Sequence, residues 1–329
     1  MCERLLSRCK SMSMRKVIGI GETVFDIILQ GGEPKKAIPG GSTLNAVLSV
    51  ARAGIPASFV SEMGKDRLGR QIIEFLSDNG VDTKGVNCIE GRQSPLSLAF
   101  LDESNNADYL FYQGVTTETE AFMIPEIAPD DIVIFGSYFA LNPRLRTGVA
   151  DFLQTARDKG AILYYDINFR KAYRNERLKL RPALIENIEM AHMVRAGRED
   201  LEVLYGNKSP EEVYRQDIAF YHKPFVFTDG TRPVKLFVGS KEVRTYAADA
   251  VETVSTIGAG DSFNAGMACS LIGQGITRRQ IEEGIDGKQW DELVKTGMAF
   301  GKDVCRHIDN YISTAFGEAE KQRRNAATI

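Results

Sequence analysis

Histidine and cysteine are scarce in this chain, and neither is arranged for metal chemistry. Three histidines occur among 329 residues, His192, His222 and His307, and none belongs to a ligand-spaced pattern. The five cysteines, Cys2, Cys9, Cys88, Cys269 and Cys305, are odd in number, widely spaced and without a C-x-x-C pair. They read as isolated thiols of a reducing cytoplasm, not as a disulfide framework or a zinc site. A basic surplus is also missing. The 41 Lys and Arg residues against 44 Asp and Glu give a net charge of −3, which points to neither nucleic acid nor an anionic membrane. The longest nearly apolar run, Ile132 to Leu141, falls well short of the ~20 residues of a membrane helix. There is no internal repeat and no low-complexity segment. The first residues, MCERLLSRCKSMSM, lack the apolar stretch of a signal peptide. Residues 1–14 are read as a disordered tail or an upstream start, with Met12 and Met14 as other starting points.

What is present is the ordinary balance of a soluble globular protein, 43% apolar and 26% charged residues. A prior of ~150 residues per domain suggests about two units, although α/β folds often exceed it in one piece. Strand-like runs at Val17–Gly21 and Val24–Leu29 lead to the turn-rich Pro39-Gly40-Gly41. Leu44, Val47, Leu48 and Ala51 then mark one face of a helix, which Ser42 or Thr43 can cap and Gly54 can end. Strand and helix continue to alternate: a helix from near Asp66 to Gly80, strands at Ile132–Phe135, Ile162–Tyr165, Met193–Arg195 and Phe225–Thr228, and helices near Arg146–Arg157, Ala183–Ile188 and Glu199–Tyr205. Two helices close the chain at Asp261–Ile272 and Trp290–Val304. This rhythm predicts βαβ units around a mostly parallel sheet covered on both faces. Residues 31–41 and about 94–113 break it, and are expected to be extra strands forming a small lid. Leu96, Leu98 and Phe100 alternate as on a sheet with one covered face, and Asn105-Asn106 suits a hairpin turn.

Two motifs carry chemistry. The first is Ser255-Thr256-Ile257-Gly258-Ala259-Gly260-Asp261-Ser262-Phe263-Asn264-Ala265-Gly266. Its glycines let backbone N–H groups turn inward at a helix N-terminus, which builds an anion hole without side chains. Asp261, at the edge, is placed to take a hydroxyl proton while the hole holds a phosphoryl group. The second is Pro39-Gly40-Gly41-Ser42-Thr43-Leu44-Asn45, where Gly-Gly would let a polyhydroxyl ligand approach the backbone and Asn45 can donate and accept. Asp26 is an acid within an apolar strand, for which sugar hydroxyls would be good partners.

With these motifs the chain resembles the ribokinase (PfkB) carbohydrate kinases from about Arg15 to Tyr311, nearest to the bacterial fructokinase and 2-keto-3-deoxygluconate kinase branch. The resemblance implies a three-layer α/β/α domain over 15–311 with the lid inserted, a tail at 312–329, ATP and Mg²⁺ as cosubstrates, and a homodimer clasped through the lid. It implies Asp261 as catalytic base, Gly258, Ala259 and Gly260 as anion hole, and Asp26, Gly40, Gly41 and Asn45 as the sugar site. Asp166-Ile167-Asn168-Phe169-Arg170 resembles the D-x-N-x-R element, with Asn168 at the substrate and Arg170 near the transferring phosphate or an acidic sugar. Thr228-Asp229-Gly230 resembles the T-x-G loop beside the nucleotide. Asn264 and the helix around Gly297 and Gly301 would flank the adenine, and close packing on a neighbour is an equal reading of that helix.

Two positions depart from the family pattern. Ser255 replaces the Asp that helps bind a monovalent cation, which puts potassium activation in question. The N-x-x-E element that organises the Mg²⁺ waters aligns with Gly197-Arg198-Glu199-Asp200, leaving Asp200, or Glu199, as an indirect metal residue. The expected activity is transfer of the γ-phosphoryl group of ATP to a primary hydroxyl of a monosaccharide or sugar acid, in the cytoplasm. The alternatives are a nucleoside kinase or a binding regulator of the same fold that has lost catalysis. A dinucleotide dehydrogenase, prompted by Gly19-x-Gly21, fails because the third glycine is missing and position 24 is Val.

Overall fold

The structure, a computed structural model, describes residues 14–103, 105, 107–112, 121–239 and 242–327. The expectations for residues 1–13 and for Asn106 lie outside the described residues. A nine-stranded sheet runs in the order β13-β12-β11-β10-β9-β8-β1-β4-β5. Its parallel members are β1 (Val17–Ile20), β4 (Ala57–Gly64), β5 (Val81–Ile89), β8 (Ile132–Gly136), β9 (Ile162–Asp166), β10 (Met193–Gly197) and β11 (Phe225–Asp229). An antiparallel pair, β12 (Arg232–Val238) and β13 (Glu242–Tyr246), extends one edge.

The strands read as continuous apolar runs because both faces are covered. Ile132 and Ile134 of β8 join one core with Ile162 and Tyr164 of β9, while Val133, Phe135, Leu163 and Tyr165 point into the other. The first core is closed by α1 (Ser42–Arg52), α7 (Ala259–Gly273) and α9 (Gly287–Val304). The second is closed by α3 (Arg146–Asp158), α4 (Arg177–Met190) and α5 (Arg198–Tyr205). The expected three-layer α/β/α arrangement is what the chain adopts. Among the described residues the remaining α-helices are α2 (Arg67–Asp78), the short α6 (Pro210–Val213) and α8 (Arg278–Glu283), and α10 (Thr314–Ala327). Within the stretch set aside as a C-terminal tail, Thr314–Ala327 forms a helix, and its Phe316 meets Phe300 edge to face at 5.2 Å.

Gly19 and Gly21 are explained by packing. A Cβ on Gly19 would lie 2.5 Å from Val47, and one on Gly21 would lie 2.4 Å from Thr43. The glycines let α1 lie close on β1, so the Gly-x-Gly pattern serves helix packing and not a dinucleotide.

The lid is a four-stranded sheet, β3-β2-β6-β7, built from β2 (Val24–Gln30), β3 (Glu33–Gly40), β6 (Leu96–Leu101) and β7 (Ala107–Tyr112). The run Val24–Gln30, not counted in the lid from sequence, is one of its two central strands. Its covered face also differs from expectation. Ser97, Ala99 and Leu101 turn inward, where Ala99 and Leu101 join Ile28, Ile38 and Ile257, and Phe100 points out at 43% exposure. The alternation was right and its phase was reversed, because a period of two does not say which set faces the core. Among the described residues no helix is long and apolar enough to cross a membrane.

Candidate active site

The cleft lies at the carboxyl ends of the parallel strands, under the lid, where open α/β sheets bind ligands. Two adjacent strand ends carry strained backbone there. Ser137, just after β8, has φ 54°, and Asn168, just after β9, has φ 39°. Non-glycine residues hold such angles only where their surroundings over-determine them, a condition that clusters at functional sites.

Asp261 sits in the first turn of α7 and is 5% exposed. Its carboxylate accepts from Ser42 Oγ at 2.8 Å, from Asn45 Nδ2 at 2.9 Å and from Asn168 Nδ2 at 3.5 Å. Burial raises its pKa above the ordinary carboxylate value, against the opposing pull of the Asn45 bond and the Arg170 charge. Ser42 was expected as a cap of α1. Instead Gly41 is the N-cap, with no side-chain cap bond, and Ser42 Oγ accepts from Asn168 Nδ2 at 2.6 Å while donating to Asp261. That chain fixes the direction of the Ser42 proton. Among the described residues Asn45 Oδ1 is buried without a partner, an acceptor of the kind a ligand hydroxyl would satisfy.

Gly258 precedes α7 with φ 76°, the left-handed region where glycine is favoured. A Cβ there would lie 1.9 Å from the carbonyl oxygen of Asn310. The first-turn N–H groups that follow have no helical carbonyl to pair with, and they add the positive end of the helix dipole. The N–H of Ala259 donates to Thr256 O at 3.3 Å, so the Ala259 member of the expected anion hole is already engaged.

Asp26 accepts from Ser97 Oγ and from Asn310 Nδ2, so protein groups meet part of the hydrogen-bonding that sugar hydroxyls were expected to supply, one bond on each carboxylate oxygen. It still borders the cleft, and burial lifts its pKa to about 6. The glycine pair is explained by protein contacts. A Cβ on Gly40 would lie 2.0 Å from Asp26 Oδ2, and one on Gly41, where φ is 127°, would lie 2.4 Å from Glu22 O. Glu22, which sequence reasoning passed over, borders the cleft and is pushed up to about 6 by burial despite its bond with Ser137. Arg170 completes the charged set. Glu199 pairs with it at 3.5 Å, and the lid residue Tyr109 lies over its guanidinium at 5.2 Å. Tyr109 stacks on Phe111, and Phe111 on Tyr173, which gives the cleft an aromatic wall. Phe100, on the opposite face of the lid sheet, points away from this wall.

The nucleotide-side assignments fare differently. Asn264 is 1% exposed; its Nδ2 donates to Asp166 at 2.7 Å and its Oδ1 accepts from Tyr164 at 3.0 Å, so it braces the core and is not presented to an adenine. Gly297 and Gly301 of α9 serve packing, since a Cβ on Gly297 would lie 2.9 Å from the Phe263 ring and one on Gly301 would lie 3.1 Å from Ala259 O. Thr228 Oγ1 accepts from Arg195, a residue sequence reasoning did not single out, and Gly230 turns through φ 54° with open space around it. Asp200 is a capping residue: its two oxygens accept from the N–H groups of Phe169 and Gly197. Among the described residues no three His, Cys, Asp or Glu side chains form a metal cluster. Glu199, the other acid of the Gly197–Asp200 element, is 37% exposed beside Arg170.

The sequence profile of the pfkB family carbohydrate kinases matches residues 14–314. Among curated proteins, Fructokinase-1 of Oryza sativa subsp. japonica is 27% identical over 304 residues, which is 87% of this chain and 90% of that protein. Probable fructokinase-3 of Arabidopsis thaliana is 28% identical over 274 residues, covering 78% and 77%. Among solved structures, fructokinase from Vibrio cholerae O395 with fructose, ADP and calcium superposes with a TM-score of 0.79 at 21% identity, over 93% of this chain and 98% of that one. Aminoimidazole riboside kinase from Salmonella enterica gives 0.74 at 18% identity, over 94% and 100%.

Proposed function

This chain belongs to the pfkB family of carbohydrate kinases, and from that premise we propose that it transfers the γ-phosphoryl group of ATP to a primary hydroxyl of fructose or a closely related neutral ketose. The observation that carries the proposal is the Asp261 carboxylate, held by Ser42, Asn45 and Asn168 at the start of a glycine-led helix and facing the lidded cleft. The fructokinase relatives favour fructose, and so does the charge of the cleft. Glu22, Asp26 and Asp261 stand against Arg170, which Glu199 already engages. A sugar carboxylate would meet net repulsion there, and a polyol would not.

Phosphoryl transfer asks the protein for positioning and electrostatics more than for covalent chemistry. Asn45 Oδ1 and Asp26 hold the acceptor, and Asp261 takes the proton of the hydroxyl as it attacks. Gly258 and Gly260 offer backbone N–H groups to the developing charge, and Arg170 faces it from the opposite wall. The aromatic lid excludes water, which would otherwise accept the phosphoryl group. Mg²⁺ would supply charge neutralisation when bound with ATP and would be held mainly by the phosphates; with Asp200 engaged in capping, Glu199 is the residue of the Gly197–Asp200 element that would assist in holding it.

Two further expectations go with this reading. The outer lid face, with Phe100, Leu110 and Tyr112 exposed, is suited to a second copy of the same sheet, which supports a homodimer. Cys88, Cys269 and Cys305 are free, in keeping with a cytoplasmic setting. A coupled ADP-release assay across fructose, 2-keto-3-deoxygluconate, ribose and nucleosides tests the whole. Fructose is expected to give the highest kcat/KM. Preference for the sugar acid or a nucleoside overturns the acceptor, and sugar binding by calorimetry with no ADP release from any acceptor overturns the kinase.

A further inference from the structure

Arg195, in the middle of β10, is 8% exposed and joins three motifs that lie far apart in the sequence. Its Nη1 donates to both oxygens of Asp166, at 3.1 and 3.2 Å, and its Nη2 donates to Thr228 Oγ1. The third contact is with Gly260. A Cβ on Gly260 would lie 2.6, 2.9 and 3.0 Å from Nη2, Nη1 and Cζ of Arg195. Gly260 has none of the positive φ that Gly258 shows, so its backbone does not call for glycine. What calls for it is the flat guanidinium lying where a side chain would begin. Asp166 also accepts from Asn264 Nδ2 at 2.7 Å, one turn further along α7. The first two turns of that helix therefore rest on an Arg195–Asp166 unit anchored in the central sheet.

We propose that Arg195 is a positioning residue for phosphoryl transfer, which fixes the Gly258–Asp261 turn against the sheet and sets a permanent positive charge beneath the anion hole. The inference rests on the kinase reading above. It differs in kind from the role of Arg170, which faces the cleft directly. Arg195 acts through the backbone of Gly260, and it leaves the acceptor contacts of Asn45 and Asp26 untouched. Its loss is therefore expected in kcat and not in acceptor affinity.

Three variants test this against a merely structural role, with kcat, acceptor KM and Tm measured for each. Arg195→Lys keeps the charge but loses the planar fork, and is expected to lower kcat by roughly 100-fold, the scale of a displacement of about 1 Å at a reacting centre, with acceptor KM and Tm near wild type. Arg195→Met together with Asp166→Asn leaves no buried charge unpaired, so this double variant is expected to fold and to be as slow. Gly260→Ala should displace the guanidinium and reproduce the loss. Recovery of wild-type kcat in the double variant would show that Arg195 only neutralises Asp166, and would overturn the proposal. So would near-normal kcat in Arg195→Lys, or turnover that falls only in step with Tm. A wild-type chain that turns over no acceptor defeats the kinase reading and this role together; a working wild type beside unimpaired variants defeats this role alone.

Discussion

Substitution of Gly258 by alanine tests whether the turn before α7 is as tightly determined as its contacts indicate. The residue holds φ 76°, and an alanine there carries the left-handed penalty of about 1–2 kcal/mol. The new methyl would also sit 1.9 Å from the carbonyl oxygen of Asn310. Ordinary C···O contacts begin near 3.3 Å, so one backbone must retreat by about 1.4 Å. No rotamer change relieves the clash, because the obstacle is a main-chain atom. Movement of Gly258 displaces the N–H groups of the anion hole, and a misplacement of about 1 Å costs on the order of 100-fold in rate, or about 2.7 kcal/mol of barrier. Movement of Asn310 instead drags its Nδ2, which holds Asp26 at 2.8 Å, and so disturbs the acceptor side. Gly258→Ala is therefore expected to lower kcat by about 100-fold or more and to raise acceptor KM, while thermal unfolding still shows a folded protein. A variant with kcat and KM within about threefold of wild type would refute the reasoning.

Other consequences follow from the buried acids, the lid and Ser255. Burial raises the pKa of Asp261 and holds Asp26 and Glu22 at about 6, so kcat/KM should fall as pH drops through 6, and a profile flat to pH 4.5 would contradict this. The same groups, with Asp200 at about 7, bind protons more tightly folded than unfolded. Their contribution to stability is present at low pH and is lost as pH rises from about 4 through 6 to 7, measurable as a decline in Tm of the ligand-free protein. Leu110→Lys on the outer lid face should convert the expected dimer to a monomer in light scattering, and a monomeric wild type at micromolar concentration would count against the clasp. Ser255 Oγ accepts from the N–H of Ile257 at 3.2 Å and supplies no carboxylate, so turnover should be equal in potassium and tetramethylammonium salts. Potassium dependence would show that another group had taken over.

Much of the site was legible because its motifs are local. A glycine-led loop running into a helix points to an N-terminal anion hole, and Asp261 follows it by one residue. The partners of these groups were harder to read. Ser42 looked like a cap, since Ser before a helical pattern usually is one, and only the approach of α7 turns it toward Asp261. Arg195 looked like the last residue of a strand, and its partners come from β9, β11 and α7. Such contacts depend on strand order, which no local pattern encodes. Asn264 and Asp200 carried expectations from family resemblance, and their hydrogen bonds within the fold are what no motif shows. The strands β12 and β13 at one side of the sheet and the edge strand β5 at the other went unread, because mixed runs of polar and apolar residues carry little periodic signal.

Asp261→Asn bears most directly on the central claim. The amide can keep the bond from Asn45 through its oxygen and donate to Ser42 through its nitrogen, so the cleft stays formed and the proton acceptor is gone. Single-turnover transfer from ATP, measured beside acceptor binding by calorimetry, should fall by about 100- to 10,000-fold with acceptor affinity nearly unchanged. Transfer within about tenfold of wild type, in a protein that still binds the acceptor, would contradict the assignment of Asp261 as the base.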